Sequence, residues 1–194
     1  MTWNDDFGDW QGLASPRQAP RYERIANLIC HFAPEASVLD VGCGEGLLRS
    51  FLPPSVHYYG IEPSQKAIEG HPGITRNTAE AFDTAGQRWN CIIFNEMLYY
   101  ARDPIFLLRK YSESLYPGGA FIISIFQRRG KPTLSARLRH WSDRRRPISN
   151  IHCTEMVLDF IRQSGWSIEH DSLIQEHWRI WMTRPHQTVT AVLS

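Results

Sequence analysis

A chain of 194 residues, 42% hydrophobic and 21% charged with a net charge of +1, is long enough for one sizeable core. Its near-neutral balance gives no sign of a nucleic-acid or membrane partner, and no run approaches the roughly 20 apolar residues of a spanning helix. Cys30, Cys43, Cys91 and Cys153 form no C-x-x-C pair, and the acidic start MTWNDDFGDW lacks a basic-then-apolar leader. A reduced, cytoplasmic protein is the expectation.

Short apolar runs alternate with helical patterns. Ile25, Leu28, Ile29 and Phe32 recur at helical spacing, which predicts a helix over Pro20–Phe32. Ser37–Val41 reads as a buried strand leading into a glycine-rich turn and a short helix through Phe51, stopped by Pro53-Pro54. A strand over Val56–Ile61, a helix over Pro63–Glu69 and a short strand at Ile74–Arg76 follow. Asn90–Phe94 is a strand without internal charge. Pro104 opens a helix over Ile105–Leu115, and Pro117-Gly118-Gly119 turns the chain into a strand over Ala120–Phe126. Thr154 is expected to cap a helix over Glu155–Ser164, ended by Gly165. The last strands, Trp166–Leu173 and His177–Thr183, are close enough in sequence to form an antiparallel hairpin. This order predicts a doubly wound α/β domain, mostly parallel and seven-stranded, with helices on both faces and all of 1–194 in one domain.

The stretch Val38-Leu39-Asp40-Val41-Gly42-Cys43-Gly44-Glu45-Gly46 carries the most chemistry. A strand, a G-x-G-x-G turn and a helix let backbone approach a ligand closely. A dinucleotide fingerprint would place its third glycine at position 47, which is Leu47. Asp40 and Glu45 would also repel a pyrophosphate, by roughly 4 kcal/mol for like charges 4 Å apart at a dielectric of about 20. S-adenosylmethionine (SAM) brings cationic sulfonium and ammonium groups and no phosphate, so an acid-bearing turn suits it. Glu62, followed by Pro63, ends the second strand and can accept hydrogen bonds from ribose hydroxyls. Thr78-Ala79-Glu80-Ala81-Phe82 can read an adenine edge through a backbone amide and a short polar side chain, with Phe82 flanking the ring. Asn95-Glu96 ends the fourth strand, over which ligands of open sheets sit.

At these residues the chain resembles the class I SAM-dependent methyltransferases. VLDVGCGEG matches that family's first motif, Glu62 its ribose-binding acid and Asn95-Glu96 its post-strand loop; the likeness runs from Ser37 to Phe126 and more loosely from Thr154 to Pro185. The resemblance implies a sheet order 3-2-1-4-5-7-6 with strand 7 antiparallel, SAM as cofactor and S-adenosylhomocysteine (SAH) as product. It also implies a cofactor site of Asp40, Gly42, Cys43, Gly44, Gly46, Glu62, Pro63, Thr78, Ala79, Glu80, Asn95 and Glu96. Thr78 departs from the family, where an acid commonly faces the adenine amine. Cys43 reads as a small turn filler rather than a nucleophile, and no metal is expected.

Methyl transfer requires little beyond aligning an acceptor lone pair behind the methyl carbon, and a hydroxyl acceptor usually needs a base. Glu96, Tyr99 and His152 are the candidate catalytic groups, with Tyr100 a further tyrosine of the same loop. The N/D-P-P-Y/F motif of adenine-amine and glutamine methylation is absent after the fourth strand, as is a Pro-Cys pair for cytosine chemistry. The run Asn95-Glu96-Met97-Leu98-Tyr99-Tyr100 instead resembles nodulation-type enzymes that N-methylate an oligosaccharide amine.

One segment breaks the charge balance. Gln127–Ser149 holds Arg128, Arg129, Lys131, Arg137, Arg139, Arg144, Arg145 and Arg146 against Asp143 alone, a local charge of +7. Leu134, Leu138 and Trp141 give it a helical stripe. It reads either as a solvated face or as a clamp over the ligand edge for an anionic acceptor. Trp3, Phe7 and Trp10, within an N-terminal region over 1–33, read either as a lid or as a docked aromatic segment. The expected partner is a small-molecule acceptor, with phosphorylated, sugar-linked and carrier-bound forms all open. The alternatives are an RNA or protein methyltransferase using the basic segment and a SAM-binding subunit without catalysis.

Overall fold

The computed structural model describes residues 14–127 and 148–186. The aromatic segment read as a lid or a docked stretch (Trp3, Phe7, Trp10) and the basic run from Arg128 to Arg146 lie outside the described residues.

Seven strands form one sheet: β1 (Ser37–Val41), β2 (His57–Glu62), β3 (Ile74–Arg76), β4 (Trp89–Asn95), β5 (Leu115–Phe126), β6 (Ser167–Ile174) and β7 (Trp178–Arg184). Their order is β3-β2-β1-β4-β5-β7-β6, parallel from β3 to β5, with β7 antiparallel to both β5 and β6. This is the order the family resemblance implies. The helices are α1 (Ala19–Phe32), α2 (Gln65–Ile68), α3 (Pro104–Ser112) and α4 (Asn150–Gln163), with 3-10 turns at Leu47–Phe51 and Leu98–Tyr100.

Period-2 alternation divides the central strands between two cores. Val38, Cys91, Ile93, Ala120, Ile122, Ile180 and Met182 join Tyr22, Ile25, Ala26 and Ile29 of α1. Leu39, Val41, Ile92, Phe94, Phe121, Ile123 and Trp181 join Leu107, Leu108 and Tyr111 of α3 and Val157, Phe160 and Ile161 of α4. A central strand buried on both faces can therefore hold an inward polar group only where something pairs it, and Asp40 in β1 is one.

Three boundaries differ from expectation. Ser149, not Thr154, caps α4, its side chain accepting from His152 N–H, because the buried stripe already begins at Cys153. The helix after β2 shrinks to Gln65–Ile68, capped by Ser64. Pro117-Gly118-Gly119 does not precede β5 but bulges within it: Leu115 pairs with Trp89 and Ala120 with Cys91, three residues looping out with Gly118 at φ +77°.

Candidate functional site

The carboxyl ends of β1, β2, β3, β4 and β5 bring Gly42, Glu62, Asn77, Glu96 and Phe126 to one edge of the sheet. In the turn after β1, Gly42, Gly44 and Gly46 all have positive φ (+70°, +58° and +69°), a region costly to residues with a Cβ. Space is short as well: a Cβ on Gly42 would stand 3.0 Å from Met97 Cβ, and one on Gly46 2.7 Å from Ile74 Cδ1. The turn is tied to β2, since Gly42 and Cys43 N–H both donate to Ile61 O (2.8 and 3.1 Å).

Glu62 completes that tie. Its Oε2 accepts from Gly44 N–H at 2.9 Å and its Oε1 from Ser64 N–H at 3.0 Å. Burial raises its pKa, and the two amides counteract this. A carboxylate has about four lone-pair sites, so each oxygen keeps one acceptor site for a ligand hydroxyl. Pro63 is half-buried beside it.

Beneath the turn lies a buried polar cluster that sequence reading placed only in part. Asp40 is fully enclosed; its Oδ2 accepts from Tyr58 O–H at 2.8 Å, and its Oδ1 has no hydrogen-bond partner. Burial pushes its pKa up to about 7, against the Tyr58 hydrogen bond. Cys43 packs beside it, its thiol pushed well up by burial and by the charges of Asp40 and Glu62. Such a thiol is a poor nucleophile and fits the turn-filler reading. Gly60 makes the room, because a Cβ there would stand 2.7 Å from Cys43 Sγ.

After β3, Thr78 Oγ1 accepts from Ala81 N–H (3.1 Å), while Ala79 is buried and Glu80 exposed. Phe82 does not stand free beside this turn. It is 5% exposed and packs on Tyr59 and Trp89, so it supports the turn from the core side.

The loop after β4 carries a compact cluster. Glu96 adopts φ +62°; its Oε2 accepts from Tyr99 O–H and its Oε1 from Ser124 Oγ–H, each at 2.9 Å. Arg21 Nη1 approaches Oε2 at 3.8 Å. The Arg21 guanidinium is held over the rings of Tyr22 (4.7 Å) and Trp178 (5.5 Å), and its Nε is buried without a hydrogen-bond partner. Neighbouring Asn95 Oδ1 is likewise buried and unpartnered. Cys153 of α4 faces the same charge, which together with burial raises its thiol to about 12.

Two of the three catalytic candidates, Glu96 and Tyr99, are thus brought together. His152 is not: its side chain is 65% exposed on the first turn of α4 and leans on Glu155 at 3.8 Å. Sequence reading missed Arg21, Tyr58 and Ser124. Arg21 left a trace, since it stands at i−4 and i−8 from Ile25 and Ile29 on the buried stripe of α1. Among the described residues no group of three or more His, Cys, Asp or Glu could hold a metal, and no helix is long and apolar enough to cross a membrane.

A family model described as a methyltransferase domain matches residues 15–169. The chain belongs to that family, and its fold is the class I, Rossmann-like one. It is 28% identical over 148 residues to a ubiquinone biosynthesis O-methyltransferase of Ruegeria pomeroyi, covering 66% of this chain and 58% of the relative. Its identity to the protein of the same name from Cereibacter sphaeroides is 33% over 105 residues, covering 48% and 42%. The chain thus spans about half the length of these curated relatives. Among solved structures, the N-methyltransferase NodS from Bradyrhizobium japonicum, in complex with SAH, is similar with a TM-score of 0.69 at 19% identity, covering 96% of this chain and 95% of that one.

Proposed function

We propose that the chain binds SAM at the carboxyl edge of the sheet and transfers its methyl group to a nitrogen or oxygen of a small acceptor. The observation that carries this reading is the state of Glu62: bonded to Gly44 and Ser64, it fixes the glycine turn yet retains one acceptor site on each oxygen. The residues suit SAM's groups in other respects. An acid-bearing turn favours cationic groups over phosphate, and the buried, unpartnered Asn95 Oδ1 is a waiting acceptor beside it. In this reading Gly42, Cys43, Gly44 and Gly46 admit the cofactor closely, with Asp40 below them. Glu62 and Pro63 border its ribose, Thr78, Ala79 and Glu80 its adenine, and Asn95 and Glu96 its methionine part.

When bound, SAM supplies a methyl group on a sulfonium, a carbon open to displacement by an acceptor lone pair. The chain's own part is alignment and electrostatics. Tyr99 and Ser124 aim the Glu96 carboxylate, with Arg21 beside it, so Glu96 can anchor an acceptor N–H or O–H and receive the proton released. Tyr99 orients it. His152 has no part in this account. The names of the relatives divide between oxygen and nitrogen acceptors, and both stay within the proposal. The eight cations of Gln127–Ser149 support an anionic or sugar-linked acceptor, with 1–194 working as one domain.

Glu62→Ala tests the reading. Loss of charge-assisted hydrogen bonds worth about 1.5–3 kcal/mol should weaken SAH binding roughly 10- to 150-fold. An affinity within twofold of wild type would show that Glu62 faces no ligand.

A further inference from the structure

The turn after β3 uses nearly all its hydrogen-bonding groups internally. Asn77 N–H donates to Glu62 O (3.2 Å), Thr78 N–H to Asn77 Oδ1 (2.9 Å), Ala81 N–H to Thr78 Oγ1 (3.1 Å) and Phe82 N–H to Thr78 O (3.0 Å). Two consecutive amides are left over. The N–H groups of Ala79 and Glu80 make no hydrogen bond among the described residues, although Ala79 is 8% exposed. Glu80 is exposed, so solvent reaches its amide, whereas that of Ala79 belongs to a buried residue, and a buried amide left unpaired marks a place where a ligand or water completes the set.

Both peptide units that carry these amides are fixed from the other side. Ala79 O accepts from Tyr111 O–H at 2.9 Å and from Lys110 Nζ at 3.3 Å, and Lys110 Nζ also donates to Glu80 O at 2.7 Å. A trans peptide is planar, so its N–H points opposite to its C=O. The clamp on Ala79 O therefore sets the direction of Glu80 N–H, and the Phe82 bond to Thr78 O sets that of Ala79 N–H. The clamp itself is rigid: Tyr111 is fully buried on α3, edge-on to Phe94 of β4 at 5.6 Å. Lys110, half-buried on α3, reaches across with its ammonium to hold both carbonyls.

We propose that Lys110 and Tyr111 are positioning residues that aim the free amides of Ala79 and Glu80 at the ring edge of adenine. The proposal rests on the SAM reading above and deepens it. Thr78 brings no carboxylate to accept from the exocyclic amine, so discrimination falls on amide donors facing an acceptor nitrogen such as adenine N1. Hypoxanthine carries a hydrogen on N1 and would meet those donors with a donor. A site built on such a bond rejects the mismatched analogue strongly.

The test is calorimetric binding of SAH and of its inosine analogue, S-inosylhomocysteine, to the full chain and to Tyr111→Phe, Lys110→Met and the double variant. Wild type should prefer SAH by at least tenfold. The double variant should lose roughly tenfold in SAH affinity and most of that preference, because a loosened turn no longer imposes the donor pattern. Tyr111→Phe preserves the buried ring, so if the double variant does not fold the single one still reports the selectivity, with a smaller loss expected. Undiminished preference for SAH in folded variants would overturn the clamp alone. A wild-type chain that binds neither ligand would overturn the cofactor reading, and the clamp's ligand with it.

Discussion

Arg21 Nη1 lies 3.8 Å from Glu96 Oε2, joining the first turn of α1 to the loop that ends β4 through side chains only 3% and 15% exposed. The guanidinium sits over two aromatic rings, and the carboxylate receives hydroxyls from Tyr99 and Ser124. Removing one member of a buried pair costs about 3–5 kcal/mol when the other charge is left uncompensated; here Glu96 keeps its two hydroxyl donors. The long contact places Arg21→Met near the lower end of that range. Replacing both, as Arg21→Met with Glu96→Gln, should recover part of the loss. Chemical denaturation of the wild type, both single variants and the double variant measures the coupling; strictly additive effects would show that the two side chains are neighbours without interaction.

Asp40 predicts a pH dependence of stability with an unusual sign. Its folded pKa is raised from 3.8 to about 7, chiefly by burial. Between those values the folded state keeps a proton that the unfolded state has released, so stability falls as pH rises through this window and levels off above about 7. Asp40→Asn keeps an acceptor for Tyr58 and lacks the titration. The melting temperature of wild type relative to Asp40→Asn should therefore drop between about pH 4 and pH 7. A constant difference would mean that Asp40 is ionised throughout.

Gly46 combines φ +69° with a Cβ position 2.7 Å from Ile74 Cδ1. Left-handed backbone costs a residue with a side chain roughly 1–2 kcal/mol, and the contact adds to it. Gly46→Ala should lower stability by about 2 kcal/mol and weaken SAH binding in parallel, while Gly86→Ala, also at positive φ but facing open space, should cost only the backbone term. Equal effects at the two positions would mean that crowding against β3 is relieved freely.

Much of this was legible in the residues. Alternating strands and helices and the short hairpin connection give a mostly parallel sheet with an antiparallel edge, its strand order follows from the family resemblance, and Glu62 and Glu96 follow from standing at strand ends. Local patterns misplace features that depend on packing. Thr154 looks like a helix cap, but the apolar stripe reaches back to Cys153 and α4 starts at Ser149. Phe82 looks like a nucleobase platform, but the core claims it. Tyr58 meets Asp40 diagonally across two strands because Gly60, opposite Asp40, leaves space. Lys110 and Tyr111 lie about thirty residues from the carbonyls they hold, a pairing that only the folded chain reveals.

The most direct test of the central claim is isothermal calorimetry of the wild-type chain with SAH and, separately, with NAD. Glu62 with its remaining acceptor sites and the acid-bearing turn predict SAH binding in the micromolar range or tighter, with a matching rise in melting temperature, and no heat from NAD. Saturable NAD binding with no response to SAH would contradict the account.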